Sequence, residues 1–220
     1  MTPKTFSIDL RRDGGARLAL SYRAADRAGI QRLACDIAAS DLSRLVIFAE
    51  TLDLQAILGG PVAAELDLEG LRLETEDSGT GIRLVRTQGY NTQTAQMELS
   101  TFGFEMAGIT EACLARATEA KHGPVLTELL AECPMPETLS ATLDPDRAEQ
   151  AVHVVREMTL LILTEQAATK GSEIARKLRS KTRREDAFEE VRMTVDAVSS
   201  AFLAPAADDH PSEVGLRRRG

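Results

Sequence analysis

A chain of 220 residues, 43% apolar, is long enough to bury a full core as one domain, or one domain with an appendage. Its 34 acids against 26 bases give a net charge of −8, which argues against general attraction to nucleic acid or to an anionic membrane surface unless charge is segregated. Trp is absent and only two Tyr and six Phe are present, which disfavours an aromatic-lined small-molecule pocket.

Residues 5–10 and 16–23 alternate apolar and polar, with Phe6, Ile8 and Leu10, then Leu18, Leu20 and Tyr22, on one face. Asp13-Gly14-Gly15 between them tolerates positive φ, so the pair reads as a β-hairpin. Asp26 reads as the cap of a helix carrying Ile30, Leu33, Ala34 and Ile37 at i, i+3, i+4 and i+7. Ser40-Asp41 interrupts it, and Leu42, Leu45, Val46, Ala49 and Leu52 resume helical spacing up to Gly59-Gly60-Pro61. The run Leu45–Phe48 also fits a buried strand, because periodicity does not arbitrate so short a segment.

Residues 64–105 predict an antiparallel meander. Leu66 and Leu68, Leu71 and Leu73, Ile82 and Leu84, and Met97 and Leu99 alternate with polar residues, with turns at Gly70, Ser78–Gly81 and Gly89–Thr92. The apolar parity changes between Leu99 and Phe102, which predicts a bulge or strand break before Phe104.

From Ile109 onward the spacing is helical. Thr110 to His122 forms one helix with Ile109, Cys113, Leu114 and Ala117 inward; Gly123-Pro124 breaks it, and Val125 to Cys133 is a second piece. Pro134-Met135-Pro136 reads as a linker and 138–143 as a loop. Asp144 then caps a long helix, with Pro145 at its first position and Lys170-Gly171 at its close. Its middle, Met158–Leu163, is apolar on more than one face, so the helix is buried and central. The run is too short and too charged at its ends for a membrane span. Ser172 caps a further helix with Ile174 and Leu178. Phe188, Val191, Val195, Val198 and Phe202 form a last amphipathic stripe, and 204–220 reads as a polar, disordered tail. The expectation is therefore an α+β fold. Residues 1–108 form a β-rich region with a packing helix, and 109–203 a helical bundle around the buried central helix.

The sharpest local feature is the basic run Arg176, Lys177, Arg179, Lys181, Arg183 and Arg184, followed by Glu185, Asp186, Glu189 and Glu190. It lacks the aromatic and Asn/Gln residues that stack on or read bases, so its ordinary reading is a solvated helix with i, i+4 pairing. Residues 65–77 carry six acids against Arg72, and an acidic sheet and a basic helix in one chain could meet within or between protomers. The Phe188–Phe202 stripe reads first as a helix docked on its own domain and second as a partner-docking face. Glu149, His153 and Glu157 share one helical face and are the best metal or proton-sharing set, although a single ExxxHxxxE is a weak signal.

Gly79-Thr80-Gly81 is a hairpin turn, and no nucleophile elbow or Walker loop is present. The cysteines Cys35, Cys113 and Cys133 form no CxxC pair and read as reduced, buried thiols. The N-terminus has no apolar run of signal-peptide length.

The leading expectation is a non-enzymatic cytoplasmic adaptor or assembly protein, of bacterial character by its Ala and Arg usage. It would bind a protein partner or itself through Arg176, Lys177, Arg179, Lys181, Arg183, Arg184, Phe188, Val191 and Val195. Nucleic-acid binding by residues 176–184 ranks next, and a metal-dependent enzyme on the central helix after it. No catalytic residue, metal ligand, cofactor, membrane contact or small-molecule ligand is assigned.

Overall fold

The computed structural model describes residues 3–23, 29–60, 62–76, 78–141, 143–179 and 184–203. The chain folds as α+β, with two antiparallel sheets in its first half and helices through its second. The first sheet has the order β1 (Pro3–Leu10), β2 (Ala16–Tyr22), β3 (Gln31–Ile37). The β1–β2 hairpin follows the alternation, and Phe6, Ile8, Leu18, Leu20 and Tyr22 are buried.

The helix expected after Asp26 is instead the strand β3; Asp26 itself lies outside the described residues. Leu33, Cys35 and Ile37 also alternate with Arg32, Ala34 and Asp36, so two periods fit the segment. The free edge of β2 decides between them by pairing with β3 at seven positions, from Ala16 with Ile37 to Tyr22 with Gln31. Seven residues are too few to stabilise an isolated helix. Ile30, placed inward by the helical reading, is 52% exposed.

The helix reading of the next segment holds as α1 (Ala39–Leu58), so Ser40-Asp41 opens that helix rather than interrupting one. Its end is set by Gly59 at φ 73, where the backbone turns left-handed at little cost to a residue without Cβ. Gln55 then holds the chain beyond it, donating to the Ala63 carbonyl and accepting from the Ala63 amide, each at 3.0 Å.

The meander forms as β4 (Glu65–Leu68), β5 (Leu71–Thr75), β6 (Gly81–Gln88) and β7 (Asn91–Glu98), in sequential order. Leu71, Leu73, Ile82, Leu84, Ala95 and Met97 face the core. The parity change after Leu99 is not a bulge or strand break. The strand has already ended, and α2 (Leu99–Glu119) begins there, so the helical half starts ten residues before Ile109. Phe102 on α2 stacks on Phe6 of β1 at 6.1 Å and meets Phe48 of α1 edge-on at 6.0 Å. This trio ties the first sheet to both helices.

Gly123-Pro124 forms the first turn of α3 (Gly123–Glu132), so the second piece starts two residues earlier than expected, and the short α4 (Glu137–Ala141) overlaps the expected loop at 138–143. The central helix is α5 (Pro145–Ala168), and the Asp144 carboxylate accepts from the Arg147 amide at 3.0 Å. It closes earlier than expected, with Thr169 extended at its end; Gly171, at φ 82, shapes the turn into α6 (Glu173–Arg179). Ala151, Val154, Val155, Met158, Thr159, Leu160, Leu161 and Leu163 are buried, and α5 packs against every other described helix, including α7 (Arg184–Leu203). Burial of each large apolar side chain contributes about 1.5–3 kcal/mol. One apolar cluster runs from Phe6 to Val198, so both halves share a core. No described helix is long and apolar enough to cross a membrane.

Candidate functional site

On α1 the apolar ridge Leu42, Val46, Leu54 is broken by one acid, Glu50, four residues after Val46. The helix turns that position inward, and Glu50 is only 6% exposed. Asp53 follows one turn later on the same side. Facing them, α2 supplies Met106, Thr110 and Leu114 on one stripe, with Gly103 and Ala107 opening space beside it, and α5 supplies Val154 and Glu157. Together they enclose an open groove of about 390 Å³.

Four carboxyls line this groove, Glu50, Asp53, Glu157 and Glu111 of α2, and the first three are harder to ionise than usual. Burial, then the charges of Glu157 and Asp53, push Glu50 up to about 7, against a weaker opposing hydrogen bond from the Thr110 hydroxyl. Burial also raises Asp53. Glu157 is raised by burial and partly relieved by His153, whose Nε2 lies 3.1 Å from its Oε1. The groups that shift Glu50 are two acids and a hydroxyl, with no cation among them. At neutral pH the groove therefore holds net negative charge and one carboxyl able to gain or lose a proton. It can receive a cation, and doing so would ionise Glu50.

The Glu149, His153, Glu157 set comes together only in part, since His153 pairs with Glu157 while Glu149 stands exposed. Among the described residues no group of three or more His, Cys, Asp or Glu is arranged to hold a metal. Glu50 and Asp53 were missed by motif reasoning, because their partners lie about 60 and 100 residues away. The local signal was Glu50 itself, an acid at an inward position of an apolar helix.

The basic run is mostly occupied by the chain's own acids. Lys177 reaches Glu190 at 2.6 Å and Glu173 at 3.7 Å; Arg176 reaches Glu173 at 3.3 Å; Arg184 reaches Glu132 at 2.9 Å and Glu128 at 3.8 Å. Arg179 donates from Nε to the Ala175 carbonyl. Lys181 and Arg183 lie outside the described residues. Phe188 is half-buried, whereas Val191 and Val195 are fully buried in the shared core, where α7 packs on α3, α5 and α6.

The acidic strands are likewise served locally. Arg72 pairs with Glu65, Glu74 and Asp67, and Arg83 with Glu74. No described ion pair joins the second sheet to the basic run. Burial raises all three thiols; Cys113 and Cys133 are buried and Cys35 half-buried.

No protein-family model, curated protein or solved structure matches the chain.

Proposed function

We propose that this protein is a binding adaptor whose partner places a Lys or Arg side chain in the groove between α1, α2 and α5. The observation that carries this reading is Glu50, a buried carboxylate held with Asp53 and Glu157 and facing no cation. Such a site is electrostatically incomplete, and a positive side chain from outside completes it. Phe104, which follows the groove-lining Gly103 on α2, is 80% exposed and is the apolar anchor in this reading. The helical region takes part through α2 and α5 in this reading, while the paired residues of the basic run hold the bundle together.

The test is fluorescence anisotropy with short amphipathic peptides carrying Arg, each compared with the same peptide carrying citrulline, its neutral isostere. Binding should require the charge, strengthen from pH 6 to 8 as Glu50 ionises, weaken with salt, and fall at least tenfold in Glu50→Gln and in Phe104→Ala. Equal binding of Arg and citrulline peptides, or binding indifferent to Glu50→Gln, refutes it.

A further inference from the structure

A second cavity, which shares no lining residue with the acidic groove, carries the opposite charge. It forms where α2 turns into α3 and α5 turns into α6, and it measures about 350 Å³. Lys121 and His122 come from the first turn, Lys170 from the second and Arg179 from the last turn of α6, and among the described residues no acid lines it. In a chain with 34 acids, neither Lys121 nor Lys170 has a carboxylate partner among the described residues. The nearby Glu173 is taken by Arg176 and Lys177. Arg179 is steadied through Nε on the Ala175 carbonyl at 3.0 Å, which leaves the outer fork of the guanidinium for another acceptor.

The polar lining is also unfinished. Thr169 donates to the Glu165 carbonyl four residues back, but Thr164 Oγ1, at the seam between this cavity and a hollow against α1, is buried with no hydrogen-bond partner. A buried hydroxyl left unpaired is destabilising, and an acceptor bound against it would recover that cost. His122 stands where α2 has ended and α3 begins. It is the N-cap of α3, and burial, Lys121 and Arg179 lower its pKa.

We propose that this cavity binds the phosphate group of a small phosphorylated ligand. A guanidinium fork, two ammonium groups and hydroxyls converging from several directions suit a tetrahedral dianion better than a planar carboxylate. The volume is near the lower end of small-molecule sites, about 300 Å³, so the ligand is compact. A nucleic-acid strand is disfavoured because the lining has no aromatic side chain on which a base could stack.

His122 reports directly on occupancy, since the chain has only His122, His153 and His210 to assign by NMR. Inorganic phosphate should shift the His122 resonances saturably and raise its pKa, with His153 and His210 unmoved and chloride at equal ionic strength without effect. Arg179→Ala and Lys121→Ala should each weaken phosphate at least tenfold without changing the thermal unfolding curve. Thr164→Ser, which keeps the hydroxyl, should bind as the parent does, and Thr164→Val should bind less tightly.

An equal response to chloride overturns the proposal, as does phosphate affinity unchanged in Arg179→Ala. A response to single-stranded DNA but not to phosphate would make the run 176–184 a nucleic-acid element and would equally overturn it. None of these outcomes bears on the acidic groove, which is tested by peptides.

Discussion

Replacing Glu50 by Gln isolates the buried acid. The native carboxyl titrates at about 7 against an ordinary value of 4.5, so the folded state holds its proton more tightly than the unfolded chain does. Between those pH values the native state binds more protons, and stability falls as pH rises from 4.5 through 7 and then levels off. The gap corresponds to about 3 kcal/mol. Gln keeps the shape and an acceptor for the Thr110 hydroxyl but has no charge to bury. Glu50→Gln should therefore match the parent near pH 5 and exceed it by about 3 kcal/mol at pH 8, or about 6–12 °C in Tm for a chain of this size. Urea unfolding followed by far-ultraviolet circular dichroism, at pH steps from 5 to 8.5, measures the difference. Asp53 and Glu157 bend both curves the same way and His122 bends them oppositely, so only the difference curve is diagnostic. Parallel curves for parent and variant across that range would refute the reasoning.

Three further variants test the frame by the same urea assay. Gly123→Ala would place Cβ 2.1 Å from the Ala117 carbonyl oxygen and 2.3 Å from that of Thr118, and should cost about 3 kcal/mol; a neutral result would mean the α2–α3 turn gives way easily. Phe102→Ala empties the centre of the aromatic trio and should cost about 3–5 kcal/mol, with loss of cooperativity between the sheet and the helices. Asp144→Ala removes the one carboxylate capping α5 and should cost about 1 kcal/mol, recovered largely by Asp144→Asn.

The hairpin and the meander were legible because alternation and turn residues agree there, and α5 because its cap, Pro145 and apolar centre all point to one helix. The misreadings share a physical cause. In β3 the periods 2 and 3.6 both fit the seven residues, and the choice was made by an edge of β2 that no local window contains. At Leu99 the chain passes from strand to helix with Glu98 as the N-cap residue and no side-chain hydrogen bond to mark it, so parity alone carried the signal. The acidic groove needed three helices to be placed first. Its one visible trace was that Glu50 sits where Leu42 and Val46 predict an apolar side chain.

The two proposed sites share α5, and that shared wall can be tested. Glu157 lines the acidic groove and Lys170 the basic cavity, thirteen residues apart, which is roughly 20 Å of chain at about 1.5 Å per residue. At physiological salt the Debye length is about 8 Å, so direct attraction between the sites is largely screened. Local pairing elsewhere is thorough, as at Arg72, Lys177 and Arg184, yet these acids and bases stay apart by sign at separate places. If each site serves its own ligand, adding Arg179→Ala to Glu50→Gln should leave the stability of the single Glu50→Gln variant unchanged to within about 0.5 kcal/mol. Phosphate should then leave peptide affinity unchanged. A departure from additivity beyond 1 kcal/mol, or a tenfold change in one affinity on filling the other site, would mean that α5 transmits occupancy along its length, and the two sites would have to be read as one device.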